Sequence, residues 1–308
     1  MHIQWYPGHM YKAGKQIREL LPKVHMVIEL LDARIPYSSE NPFLEELRGD
    51  KPTIKVFNKS DLADPGNIDL WQAHYEKERD VTTLALTQTQ PAEVRKITDL
   101  CQQMFPHRFA KKQEVRALIM GIPNVGKSTL INTLARRPIA KTGNEPAVTK
   151  SQQRIALDSG VVLFDTPGML WPNIENPNSG YRLAVTGNIR DTAIEHADVA
   201  MYALKYFQHA YPERLCERYR FDPEELPELD ELQILDAIGL FRGSLKSKGL
   251  VDYDKAAKIV LTDLRNGALG RFSMETPQMM AVELVEVERL REEKLAKKEA
   301  RKSRFKKR

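Results

Sequence analysis

Three short strings in this chain carry side chains able to hold a nucleoside triphosphate. GIPNVGKS runs from Gly121 to Ser128, after the apolar run VRALIM at 115–120. It opens a helix predicted over Lys127–Arg137, with Leu130, Ile131 and Leu134 at helical spacing. Gly121 and Gly126 let successive backbone N–H groups face a phosphate, and Asn124, Val125 and Thr129 complete the cradle. Lys127 brings a point charge for binding and catalysis, and the Ser128 hydroxyl suits Mg²⁺. DTPG, Asp165–Gly168, follows the strand-like VVLF. That places Asp165 at a strand's carboxyl end, where it can hold Mg²⁺ through water, and lets the Gly168 N–H reach a γ-phosphate. NKSD, Asn58–Asp61, follows TIKVF. The Asp61 carboxylate can accept from the ring N–H and the exocyclic amine of guanine, which adenine does not offer in that arrangement. Asn58 and the Lys59 stem can frame the ring, with Ser60 in the same turn, so the nucleotide is expected to be GTP rather than ATP. Each string taken singly also reads as a turn or a helix cap.

Two further positions complete the expected site. Thr149, in the loop PAVT between the P-loop and DTPG, is the expected sensor of Mg²⁺ and γ-phosphate and a catalytic candidate; Thr142 is its rival. The second base-contact loop should follow the strand VTTLAL, at Thr87 and Gln88, although the usual Ser-Ala-Lys is missing there.

The order of the strings is itself informative. A conventional GTPase has its P-loop first and its base-reading motif last; here NKSD precedes the P-loop. The same parts in rotated order indicate a circularly permuted G domain. With WYPGHM at Trp5–Met10, DARIP at Asp32–Pro36 and DYDKAAKIVLTDLRNGALGR at Asp252–Arg271, the chain resembles the YlqF/RbgA group of permuted GTPases over nearly its whole length. The resemblance implies a GTP-hydrolysing switch, stimulated by the ribosome, that binds the large ribosomal subunit precursor and acts late in its assembly. It also implies that His9 orients the attacking water, since Met169 stands where many GTPases place a glutamine. Asn124 is implied to hold K⁺ beside the phosphates. The alternative readings are a nucleotide-stabilised RNA-binding scaffold, or a GTPase acting on small-subunit rRNA or tRNA.

The elements that must position these residues follow from pattern. Alternating strands and helices as far as DTPG predict a mostly parallel sheet with helices on both faces. Residues 1 to about 15 read as an N-terminal arm, with a helix ending over Gln16–Pro22. FPHRFAKKQE, Phe105–Glu114, reads as the linker joining the natural ends of an unpermuted domain. WPNIENPNSG, from Trp171, reads as a mobile loop. Beyond it, helices predicted near Asp191–Tyr211, Leu229–Arg242 and Tyr253–Asn266 indicate a smaller all-α domain, with Gly267 as a C-cap. The expected division is therefore a G domain with its arm over 1–175, a helical domain over 176–275 and a basic tail helix over 276–308.

Composition bounds the class. A chain of 308 residues with 42% hydrophobic content exceeds a lone G domain and can bury a substantial core. No apolar run approaches the roughly 18 residues of a membrane span, and no signal-peptide core is present, so a cytoplasmic protein without a membrane partner is expected. Cys101 and Cys216, far apart in sequence, read as reduced, buried thiols. The net charge of +5 is uneven. Residues Arg289–Arg308 hold eleven Lys or Arg against three Glu, leaving a net −3 for the rest. Such a tail can be a solvated face or a phosphate-binding segment. Met279, Val282, Leu290 and Leu295 predict a helical start for it, with the basic end ordering on RNA. No long heptad seam is present, and a monomer is expected.

Overall fold

The computed structural model describes residue 3 and residues 5–140 and 153–306; Thr142 and Thr149 lie outside the described residues. Six strands form one sheet: β1 Met26–Asp32, β2 Thr53–Asn58, β3 Val81–Leu86, β4 Val115–Gly121, β5 Gln153–Ala156 and β6 Val161–Asp165. Their order is β3-β2-β1-β4-β6-β5. All pairings are parallel except β5 against β6. Every residue of β1 and β2 is buried, as expected of parallel strands covered on both faces.

This order creates the crevice. The chain builds outward from β1 through β2 to β3, then returns to the other side of β1 for β4. The strand sequence reverses between β1 and β4, and ligands of open α/β sheets sit beyond the carboxyl ends of the strands at such a point. DARIP leaves β1 there, NKSD leaves β2, the P-loop leaves β4 and DTPG leaves β6. The P-loop strand and the base-reading strand thus flank β1, as the permuted order requires.

Four helices of eight or more residues accompany the sheet: α1 Gly8–Leu20, α2 Pro65–Tyr75, α3 Pro91–Met104 and α4 Lys127–Ala135. Pro at the first turn of α2 and α3, and Asp64 accepting from the Asn67 N–H, explain where two of them start. The expected arm is shorter than the sequence suggested. Helix α1 begins at Gly8 because Met10, Ala13, Ile17 and Leu20, spaced for one helical face, are all buried in the core. The splice between β3 and β4 is helical over Pro106–Ala110.

The C-terminal region is helical: α5 Pro177–Val185, α6 His196–Ala210, α7 Pro212–Tyr219, α8 Glu231–Phe241, α9 Tyr253–Arg265 and α10 Pro277–Lys306. A capping box of Asp230 and Gln233 opens α8, and Asp252 caps α9. Gly267 takes the left-handed φ of +75° expected just past α9. The segment read as a mobile loop after Trp171 differs from expectation. Ile174 and Asn176 are buried, Asn176 caps α5, and Ile3 packs against Gly180. Helix α10 continues through the basic end that was expected to order on RNA. Its first turns are anchored by Met280, buried with Trp71 and Tyr75, and by Glu283 on Arg182, whereas Val282 and Leu295 are exposed. Cys101 is buried and Cys216 only partly so. No helix among the described residues is long and apolar enough to cross a membrane.

Candidate active site

The four loops at the carboxyl ends of the strands are tied to one another. The Asn58 side-chain amide donates to the Val125 carbonyl at 2.6 Å, joining the NKSD turn to the P-loop. Gln88, after β3, donates to the Gly126 carbonyl at 2.6 Å. The Ser60 N–H reaches the Leu86 carbonyl at 3.2 Å, and the Met169 N–H reaches the Gly121 carbonyl at 3.3 Å. The NKSD turn and the P-loop, more than sixty positions apart in sequence, are therefore held together.

Two glycines are required by this crowding. Gly126 has φ +105°, and a Cβ there would collide with the amide nitrogens of Asn58 and Gln88. At Gly168 a Cβ would stand 2.9 Å from the Cα of Pro123 and 3.1 Å from Lys127 Nζ. Only a residue without a side chain lets the DTPG backbone approach the P-loop this closely. Thr166, whose hydroxyl donates to the Ile119 carbonyl at 3.1 Å, pins the same turn to β4.

Lys127 is buried, and its Nζ donates to the carbonyls of Gly121 and Ile122 at 3.0 and 3.2 Å. Burial pushes its pKa down to about 8, partly offset by the attraction of Asp165. Burial pushes Asp165 up to about 6, against the pull of Lys127. Neither Asp165 carboxylate oxygen has a hydrogen-bond partner among the described residues. Such an orphaned buried carboxylate, close enough to the P-loop to interact with Lys127, fits a cation that balances its charge. No three His, Cys, Asp or Glu side chains cluster as a metal site among the described residues. A divalent ion here therefore needs phosphate oxygens or water to complete its shell, which suits Mg²⁺.

The remaining predicted residues are distributed as follows. Asp61 is exposed and Ser60 and Lys59 half-buried in the turn after β2. Lys59 adopts φ +61° and its Nζ meets the Asp32 carboxylate at 2.9 Å. Thr87 is buried and its hydroxyl bonds to that of Thr89. Thr129 is exposed on the first turn of α4. Asn124 donates from its side-chain amide to the Gly187 carbonyl, 2.8 Å away at the end of α5. His9 is the second residue of α1, and that helix lies along the segment after DTPG. The Leu170 N–H points to Met10 Sδ at 3.4 Å, and a Cβ at Gly14 would be 3.5 Å from Met169 Sδ.

DARIP brings two charged side chains, Asp32 and Arg34, to the carboxyl end of β1. They form a bidentate ion pair at 2.9 and 2.7 Å, fully buried at the end of the central strand β1. Burial alone would raise the Asp32 carboxyl, but Arg34 and Lys59 outweigh it and hold it well below the usual carboxylate range. Arg34 also donates to the Thr186 carbonyl at 3.3 Å. The turn after α5 is thus gripped by the P-loop through Asn124 and by DARIP through Arg34. The anchoring contact of Thr166 is marked in the sequence only by its place inside DTPG.

Comparison with known proteins agrees with this geometry. A family model described as 50S ribosome-binding GTPase matches residues 116–233, a stretch that opens in β4 and leaves NKSD outside it. Ribosome biogenesis GTPase A of Bacillus cereus is 44% identical over 299 residues, covering 95% of this chain and all of that one. Mitochondrial ribosome-associated GTPase 1 of Mus musculus is 32% identical over 298 residues, covering 88% of this chain and 90% of the other. Among solved structures, GNP-bound YlqF from T. maritima aligns with a TM-score of 0.62 at 26% identity, over 87% of this chain and 99% of its own.

Proposed function

The chain belongs to the ribosome biogenesis GTPase A family and is a GTPase, and from that premise we propose that it binds the large ribosomal subunit precursor in its GTP form and leaves after hydrolysis. The observation that supports this reading best is the bond from Asn58 to Val125, which joins the NKSD turn to the P-loop. In this assignment Asp61, Asn58, Lys59, Ser60 and Thr87 surround the base. The backbone of Asn124 to Thr129 and of Gly168 cradles the phosphates. Lys127 gives up its carbonyl partners for phosphate oxygens. Ser128 and Asp165, with Thr149, would hold Mg²⁺, which on binding neutralises charge developing on the transferred phosphoryl group. Asn124 would hold K⁺ beside the phosphates.

Water positioning is assigned to His9. Met169 is buried against α1 and has no polar side-chain atom suited to that task. What supports this assignment is that Met10, the next residue of α1, meets the Leu170 N–H just after DTPG. Histidine can bond to water near neutral pH. The His9→Ala protein is expected to keep its GTP affinity within about threefold and to lose about 10²-fold or more of subunit-stimulated turnover, the usual scale of a general acid–base contribution. Stimulated single-turnover hydrolysis at the normal rate would remove His9 from the mechanism.

The domain division at 175 and 275 belongs to the same reading, as do a monomeric state and a cytoplasmic location. Nucleotide-dependent ordering of the loop after DTPG is passed to the helical region because the chain runs from that loop straight into α5. The basic end of α10 supplies a contact for rRNA phosphates, which makes binding salt-dependent. Sedimentation of the protein with subunits in GDP, GTP and a non-hydrolysable analogue tests the whole. Co-migration with the large subunit is expected in the triphosphate states only, and equal binding with GDP would refute the switch.

A further inference from the structure

The segment that follows α9 has no part in the mechanism above, yet it is bonded along the guanine-reading turn. Arg271 sends Nη2 to the Ser60 carbonyl at 2.8 Å and Nε to the Ala63 carbonyl at 3.1 Å. The next residue, Phe272, donates its N–H to the Leu62 carbonyl at 2.9 Å. The carbonyls on either side of Asp61, at Ser60, Leu62 and Ala63, are therefore all taken by two consecutive residues from the far end of the chain. Continuing the strap, the Asp64 N–H donates to the Ser273 hydroxyl at 3.3 Å and the Met274 N–H to the Arg34 carbonyl at 2.9 Å.

The strap is itself held. The hydroxyls of Tyr206 and Tyr211 donate to the Ser273 carbonyl at 2.9 and 3.2 Å, and Arg214 of α7 donates to the Arg271 carbonyl. The turn it restrains has reason to need restraint. Lys59 is a non-glycine residue at φ +61°, a conformation that persists where surrounding contacts over-determine it. Asp61 is exposed, and no hydrogen bond to its carboxylate is found among the described residues, so the backbone on either side decides where that carboxylate stands.

We propose that Arg271 is a positioning residue for base recognition: by clamping the turn on both sides of Asp61, it sets how sharply the site separates guanine from a purine without the exocyclic amine. This rests on the assignment of Asp61 as the base reader. A guanidinium suits the task because its planar fork spans two carbonyls at once, which a lysine ammonium on one flexible stem does not.

The test compares the affinities of GDP and IDP, whose base lacks that amine, in the full chain and in Arg271→Ala, Arg271→Lys and Asp61→Ala. Removing a charged hydrogen-bonding group should weaken GDP about tenfold in Arg271→Ala, while IDP falls about twofold, so the GDP-over-IDP ratio contracts. Arg271→Lys, keeping the charge and one carbonyl, should fall between. A merely structural arginine would lower both affinities by one factor, or lower the melting temperature with the ratio intact, and either result overturns the proposal. Should Arg271→Ala fail to fold, the ratio in Arg271→Lys decides in the same way. Asp61→Ala separates the two assignments: if it leaves the ratio unchanged, the base reader has been misidentified, whatever Arg271 does.

Discussion

Asp61→Asn is expected to exchange the base preference of the site, binding XDP in place of GDP. An ionised carboxylate only accepts hydrogen bonds, and guanine offers it two donors, the ring N–H and the exocyclic amine. An asparagine amide offers one acceptor and one donor. Against guanine its NH₂ faces the amine, donor to donor; against xanthine, which carries a carbonyl at that position, both bonds form again. A site built to hydrogen-bond one edge rejects the wrong one strongly, so GDP affinity should fall by about 10³-fold or more. XDP affinity should rise toward the value GDP has in the unaltered protein. Competition against a fluorescent guanine nucleotide measures both. Retention of GDP binding by Asp61→Asn would mean that the turn after β2 does not read the base. In that event the link between Asn58 and Val125 would be a packing contact only.

Lys127→Ala should abolish useful hydrolysis. The Lys127 ammonium is buried, and among the described residues it donates only to the carbonyls of Gly121 and Ile122, so it is already desolvated before phosphate arrives. Its depressed pKa, about 8, expresses that cost, and phosphate oxygens repay it by favouring the charged form. Loss of one preorganised charged donor at a developing negative charge costs about 10²–10³ in rate. Lys127 also pulls the Asp165 carboxyl downward against burial, so its loss lets that carboxyl rise further. Single-turnover hydrolysis at several Mg²⁺ concentrations reads the loss of rate apart from any change in metal binding. Turnover within about threefold of the unaltered protein at saturating Mg²⁺ would exclude Lys127 from phosphate chemistry, since a preorganised donor is worth far more than that.

The fold was legible in the sequence where chemistry is local. Gly121, Gly126 and Gly168 are demanded by backbone approach, and VRALIM, TIKVF and VVLF are apolar runs of strand length, so the site strands β4, β2 and β6 follow from residue types alone. Strand β5 was not identified, because Gln153–Ala156 is a four-residue edge with polar residues and gains its identity only by pairing with β6. The start of α1 was also missed. Gly8 and His9 are poor helix formers, and what makes that turn helical is the burial of Met10 and Ala13 against residues elsewhere in the chain. The same holds for residues 171–176: prolines and asparagines announce a loop, but burial of Ile174 and capping by Asn176 are tertiary facts. Long-range partners were least visible of all. Nothing near Arg34 in sequence points to Thr186, and nothing near Arg271 points to Ser60.

The rotated strand order also decides where the molecule can be pulled upon. Phe105–Glu114 closes the gap between the old ends and enters β4 at its amino end, on the opposite side of the sheet from the ligand crevice. The new openings both fall on the crevice side: α1 arrives beside Met169 and Leu170, and the outgoing chain leaves through those same two residues. A load that reaches residues 169 and 170 through α1, or through the chain leaving toward α5, is therefore delivered at the DTPG turn and passed by the Met169–Gly121 bond to the start of the P-loop.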